Sequence, residues 1–318
     1  MRFSTIGYLG MFLITYVVFY NLLYKKQAFD LLYFIRLLRF MILAYAVCLL
    51  AQQACMLVGI RNLPFINLYN QYYLAINKLP TWNLEPSHTA RVLGVLYYAY
   101  LKCCEIVEEE KLSLKRIFEP FHRWITIGYL YAMTTMGSGT AFIVLMIQAM
   151  YFVQAKRLWY VVPVFMGLYF TLPLMNIKQL DRAVNVINAT LTLDVEIVQE
   201  TDGSANTRIA PILNTLNMDL SSRETWFGEG TLTQREILNK NVYKRQGKVG
   251  NIDQYGLLSF IVMQICVVVC AFRFLSLQTV MWAMVFGFSF GNIAYTWGAL
   301  MIFTSIRYFQ SRQLKKHE

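Results

Sequence analysis

The sequence predicts an all-α polytopic membrane protein with about nine membrane segments, including paired short or broken helices, and one long extracytoplasmic loop. Three observations carry that expectation. Of 318 residues, 57% are hydrophobic and only 15% charged, too apolar a balance for a soluble α/β enzyme or for disorder. The apolar residues gather in runs of about 18 to 30, long enough for the ~20 helical residues that a hydrocarbon core requires. Much of the formal charge of +11, from 29 Lys and Arg against 18 Asp and Glu, flanks those runs. That placement points to membrane orientation and away from nucleic acid.

The first run, Gly7–Tyr24, ends at Lys25-Lys26 and has no small-residue cleavage site, so it reads as a retained span. The second, 40–60, carries Gln52 and Gln53 in mid-segment. Lipid offers amides no partner, so both should face other helices. The third, 90–104, holds Tyr97, Tyr98 and Tyr100, which suit a bundle interior or edge better than bare lipid. The charged stretch after it, 105–124, with Lys111, Lys115, Arg116 and Arg123, reads as an amphipathic element at the inner surface, His122 included.

Residues 125–153 are almost continuously apolar except for MGSGT at 136–140. Lys156-Arg157 and the basic residues of 111–123 should lie on one side, which requires a return passage and hence two short helices meeting near Gly137–Gly139. Residues 158–175 then cross outward. A further span, 255–272, ends at Arg273, and the run 279–308 is interrupted at Gly291-Asn292 before a basic tail with Arg312, Lys315 and Lys316. The N-terminus is placed outside and the C-terminus inside. Three regions result: N-terminal membrane helices (1–175) with a short external loop (61–89), a long extracytoplasmic loop (176–254), and C-terminal membrane helices with a basic cytoplasmic tail (255–318). The long loop balances nine basic against ten acidic residues, and 184–193 and 208–216 are its helix-like patches. The six cysteines lie in or beside apolar segments without metal-site or disulfide spacing and read as packing residues, and no cofactor or metal is expected.

Chemistry is expected in the external loops. Glu85, His88 and Arg91 follow one another at i, i+3 and i+6 around Pro86, and a carboxylate, an imidazole and a guanidinium at a membrane mouth can do acid–base work and clamp phosphate. A plain helix cap with one interfacial arginine is the bland alternative. Asn206 and Arg208 precede an apolar helix-like run. Arg223, Trp226, Gly228, Glu229 and Gly230 combine an aromatic platform, charges and a GxG backbone able to approach a ligand, a kit for a sugar ring. A loop folded on itself has the same composition. Gly137–Gly139 and Asn292 mark helix breaks whose N-terminal ends can hold an anion, with close helix packing as the alternative.

LEPSHTAR (84–91), MGSGT (136–140), ANTRIAP (205–211), DLSSRETWFGEG (219–230), NIDQYGLLSF (251–260) and GNIAYTW (291–297), in this order, resemble the bacterial O-antigen and capsular polysaccharide polymerase family over nearly the whole chain. The resemblance implies an inner-membrane, multi-pass glycosyltransferase that joins undecaprenyl pyrophosphate-linked repeat units at the outer face. A lipid-linked glycan donor and acceptor would be its substrates, and a flippase and a chain-length regulator its pathway partners. Carried over by motif, Arg91, Arg208 and Arg223 match functional arginines, and Glu85 and His88 belong to the EPSH element. Asn206, Trp226, Gly228, Glu229, Gly230 and Asn292 are the substrate-binding candidates. Relative to the family the chain is short before its second span, which implies that early helices are lacking. An O-antigen ligase, a flippase or transporter of lipid-linked sugars and an inactive scaffold remain alternatives on sequence.

Overall fold

The computed structural model describes residues 3–60, 79–83, 85–152, 203–230, 247–272, 276–285 and 294–317, with 188, 192 and 197 singly. The expected span 158–175, most of the 61–89 loop, the patch 184–193 and the break at Gly291-Asn292 lie outside the described residues, wholly or almost so. Among the described residues the secondary structure is helical, with no strand.

Two compact units form. One, here the bundle, comprises Ile14–Gln154, Cys270–Phe286 and Tyr295–Glu318. The other comprises Met1–Leu13, Ala155–Val269 and Gly287–Ala294.

The helices are α1 (Phe3–Tyr24), α2 (Leu31–Leu57), α3 (Pro86–Glu108), α4 (Arg123–Thr135), α5 (Gly139–Ala149), α6 (Gly203–Leu216), α7 (Arg223–Phe227), α8 (Ile252–Ala271), α9 (Leu277–Val285) and α10 (Ala294–His317). Three stretches, Gly7–Tyr24, Leu31–Leu57 and Val249–Ala271, are long and apolar enough to cross a membrane. In α2 the Asp30 carboxylate accepts from the Tyr33 N–H and starts the helix. Phe34, Leu38, Ile42, Tyr45, Leu49 and Gln52 then form one buried stripe at helical spacing. Its other face exposes Leu37, Phe40, Val47 and Leu50. Leu258, Val262, Ile265 and Val269 are likewise exposed on α8. Apolar residues on the outward as well as the inward face suit lipid and not water.

At the centre of the bundle is α3, whose residues from Leu93 to Leu101 are all buried. Tyr97, Tyr98 and Tyr100 are interior residues, and Tyr97 stacks on Tyr129 of α4 with centroids 4.0 Å apart. Gly94 lets α5 approach closely: a Cβ there would lie 2.3 Å from Val144 Cγ1. The apolar run after residue 124 is indeed two helices. Gly137 takes a left-handed φ of +70° between α4 and α5, a conformation that costs glycine least.

The mid-span amides of α2 do face protein. Gln52 is fully buried, its Nε2 donating to the Thr81 carbonyl (3.1 Å) while its Oε1 accepts from the Thr81 N–H (2.9 Å). Gln53 Oε1 accepts from the Tyr131 hydroxyl of α4.

The two ends of the bundle differ in charge. At one end Arg312 of α10 donates to Gln27 Oε1 (2.7 Å), Gln313 to the Ile106 carbonyl (3.1 Å) and Arg39 to the Phe121 carbonyl (3.4 Å). These bonds gather the α1–α2 turn, the C-terminal parts of α3 and α10, and the α3–α4 connection. Segments 25–39, 102–123 and 307–312 carry eleven Lys and Arg against six Asp and Glu there, a net +5. At the other end, segments 50–60, 79–91, 131–141 and 294–297 hold only Glu85 and Arg91 among their described residues. The described basic segments 25–39, 102–123 and 307–312 therefore share one end of the bundle, while Lys156-Arg157 and Arg273, expected on the same side, lie outside the described residues.

One expectation at that end is corrected. His122 is not a surface residue: only 3% of it is exposed. Its Nδ1 meets the Tyr100 hydroxyl at 2.7 Å and its Nε2 meets Glu108 Oε1 at 3.1 Å. Burial is tolerated because both ring nitrogens are partnered. The surrounding stretch is also not one amphipathic helix. It is the end of α3, a left-handed Glu109, a short 3-10 turn (Arg116–Phe118) and the start of α4.

Candidate functional site

The site residues expected from the sequence fall into two groups, one in each unit. In the bundle, Glu85 precedes α3 with extended backbone (φ −139°, ψ 148°) and Pro86 opens the helix. An extended cap residue does not follow the helical register, so Glu85 leaves the i, i+3, i+6 series that His88 and Arg91 continue. Its Oε2 accepts from the Ser87 hydroxyl at 3.0 Å. The His88 ring packs on Tyr295 of α10 with centroids 5.1 Å apart. Two of the motifs quoted above, LEPSHTAR and GNIAYTW, thus meet at the uncharged end. Arg91 is half-buried one turn further along α3. Beside them Thr81, Asn83 and Thr89 bond to one another and to the Pro80 carbonyl. Thr81, Asn83 and Thr89 form a polar knot here, while Glu85 and Arg91 stay half-buried beside it.

The second unit is built differently. Ser222 caps α7 by accepting from the Glu224 N–H (3.2 Å), and Gly228 ends it with φ +79°. Trp226 is held by its indole N–H, which donates to the Leu220 carbonyl at 2.9 Å. Just upstream, Asp219 accepts from the Ser221 hydroxyl (2.7 Å) and the Ser221 N–H (2.9 Å). Those two bonds, the hydroxyl foremost, hold its carboxyl below the usual carboxylate range.

Gly228 and Gly256 then cross backbone to backbone. A Cβ on Gly228 would fall 2.5 Å from the Gln254 carbonyl oxygen, and one on Gly256 would fall 2.2 Å from that of Trp226. Both glycines have positive φ. The crossing is locked by the Glu229 N–H donating to the Asp253 carbonyl (2.7 Å) and the Gly230 N–H to that of Gln254 (3.2 Å). The expectation that Gly228 would leave backbone open to a ligand is therefore corrected: the chain itself occupies the space beside it. From the other side Asp253 is fixed by the Lys248 N–H (2.5 Å) and ammonium (3.6 Å). The Val249 N–H donates to Thr215 Oγ1 of α6 at 2.9 Å.

The crossing frames an open cleft of about 420 Å³ lined by Phe227, Gly228, Glu229, Gly230, Gln254, Tyr255 and Ser259. Phe227, Glu229, Gln254 and Ser259 are exposed. Among the described residues nothing pairs with the Glu229 carboxylate or the Arg223 guanidinium. Gly256 interrupts α8 (ψ 158°), so regular helix begins beyond it, next to the lining residues Tyr255 and Ser259. The cleft residues 254–259 lie in the first part of Val249–Ala271, a stretch long and apolar enough to cross a membrane when counted across this interruption.

The motifs ANTRIAP, DLSSRETWFGEG and NIDQYGLLSF therefore come together in one unit. Asn206 and Arg208 lie on α6, the helix that packs against this frame through Thr215. Asn292 lies outside the described residues. Gln254, Tyr255 and Ser259 were missed as lining residues, although their motif was noticed. The readable signal was an isolated glycine at the head of an apolar run, the mark of a close backbone approach. Among the described residues no cluster of three or more potential metal ligands occurs. Comparison with known protein families, characterised proteins and solved structures gave no match.

Proposed function

We propose that the protein is a membrane glycosyltransferase that polymerises undecaprenyl pyrophosphate-linked oligosaccharide repeat units at the outer face of the bacterial inner membrane. The observation that carries the reading is the cleft at the head of α8, lined by residues of two of the six motifs of the resemblance, DLSSRETWFGEG and NIDQYGLLSF. Phe227 and Tyr255 offer aromatic faces for sugar rings, and Gln254 and Ser259 offer donors and acceptors for their hydroxyls. Arg208 and Arg223, with the first-turn N–H groups of α8, compensate the charge that develops on a departing pyrophosphate. Glu229 takes the proton of the acceptor hydroxyl. The acceptor oxygen bonds to the anomeric carbon of the donor as that carbon's bond to the pyrophosphate oxygen breaks, and undecaprenyl pyrophosphate leaves with the electron pair.

Deletion and complementation followed by a gel of the surface glycan tests this. Loss of the repeat-unit ladder with a single unit still attached to core supports polymerisation, whereas loss of all attached glycan indicates a ligase or flippase. Arg208→Lys keeps the charge but loses the bidentate fork, and Glu229→Gln removes the base. Each should cut ladder intensity by about a hundredfold at equal protein level. A normal ladder from both variants defeats the assignment.

A further inference from the structure

The charged end of the bundle carries a feature that glycan transfer does not use. Between α3 and α4 the chain exposes Leu114, Phe118, Phe121 and Trp124, the first and last each to 61%. Interleaved with them, Lys111, Lys115 and Arg123 are also exposed. The cations and rings are paired. The Arg123 guanidinium lies 5.0 Å from the Trp124 ring centroid, and Arg39 of α2 lies 4.4 Å over Phe121. The acidic residues before the loop are paired, Glu105 with Lys102, Glu108 with His122 and Arg116, and Glu110 with Arg116, while Glu119 is exposed within it. Residues 111–124 with Arg39 carry five Lys and Arg against Glu119 alone, a net +4 around an apolar, ring-bearing loop.

We propose that residues 111–124, with Arg39, form a docking surface for anionic phospholipid headgroups of the adjoining leaflet. Charge complementarity selects that occupant. Trp and Phe settle at the depth of the headgroups, where a ring has an apolar and a wet side, and neighbouring Lys and Arg neutralise lipid phosphates. Arg39 and Arg123, each spread over a ring, can hold a phosphate bidentately while the ring enters the acyl boundary. The loop is itself anchored to the core by His122, so its rings are presented from a fixed base. This inference is independent of the glycan reading, because it uses other residues and no transferase activity.

The test uses the full chain in nanodiscs of phosphatidylcholine containing either brominated phosphatidylglycerol or brominated phosphatidylcholine at equal fraction. The contribution of Trp124 is isolated by subtracting the signal of Trp124→Phe. Brominated phosphatidylglycerol should quench Trp124 several-fold more than brominated phosphatidylcholine. Raising salt should shrink the difference. The triple variant Lys111→Gln, Lys115→Gln, Arg123→Gln should abolish it while Trp124 stays quenched by both lipids, a result that also reports that the loop remains in place. Equal quenching by the two lipids in the native chain, no quenching by either, or an undiminished preference in the triple variant would each overturn the proposal.

Discussion

The uncharged end of the bundle and the cleft of the second unit are built from similar polar side chains under opposite conditions. In the bundle, Gln52, Thr81, Asn83 and Thr89 are bonded to one another and to neighbouring backbone, and Gln52 and Thr89 have no exposed surface. Around the cleft, the scaffold is backbone held by backbone, and the side chains of Glu229, Gln254 and Ser259 face outward. A polar group whose partners are all internal holds a fold together, and one that is positioned but left open can meet a substrate. The proposal gives a structural part to the first region and chemistry to the second, and that division can be broken at several points.

The largest effect is expected at the glycine crossing. Gly256→Ala and Gly228→Ala each drive a Cβ into backbone at a positive φ, where no side-chain rotation relieves the clash. A loss of about 3 kcal/mol or more in local stability should follow. Limited proteolysis near residues 219–230 should rise sharply while the bundle keeps its helical signal. Next comes Gln52→Leu, which leaves the buried Thr81 N–H and carbonyl without their side-chain partner. It should cost about 2–4 kcal/mol and lower the melting temperature of the purified protein. If ladder length then changed at unchanged protein level, the uncharged end would have to be given a functional part.

A smaller loss, about 1–3 kcal/mol, is expected from Gly94→Ala, because the contact it meets is the side chain of Val144 and not backbone. Val144→Ala in the same chain should restore much of it, and a double-mutant cycle of thermal unfolding measures the coupling. The smallest effect belongs to Asp219→Asn. The native carboxyl titrates below its ordinary range, so its contribution is present at neutral pH and is lost only as pH falls through that lowered value. The group is fully exposed, so the change should appear only as a loss of Ser221 amide protection, measured against the exchange rate intrinsic to each pH, as pH falls, and protection unchanged across the acid range would contradict the hydrogen-bond account.

What could be read from the sequence follows from how local each signal is. The three long apolar helices announced themselves because lipid demands apolar residues on every outward position. Gln52 and Gln53 were legible because an amide in hydrocarbon has to find protein. The break at Gly137 was legible from the small residues that interrupt the apolar run and from charge on either side of it. His122 was not legible, since its partners Tyr100 and Glu108 lie 22 and 14 residues away on another helix. The extended Glu85 before a helix opened by Pro86 was legible, because proline keeps the residue before it out of the helical region. The partnership of Gly228 with Gly256 depends on a turn between distant segments, which no local pattern encodes. Composition identified those loops as special but could not tell whose backbone the glycines admit.

The central claim is that the cleft between residues 227–230 and 254–259 receives the glycan end of a lipid-linked donor. A photoreactive benzoylphenylalanine placed at Phe227, in membranes supplied with a radiolabelled undecaprenyl pyrophosphate-linked repeat unit, tests it most directly, with the same probe at Phe118 as the comparison. Label should attach at Phe227, fall when excess unlabelled repeat unit is added, and stay at background at Phe118. Background labelling at Phe227, or equal labelling at both positions, would contradict it.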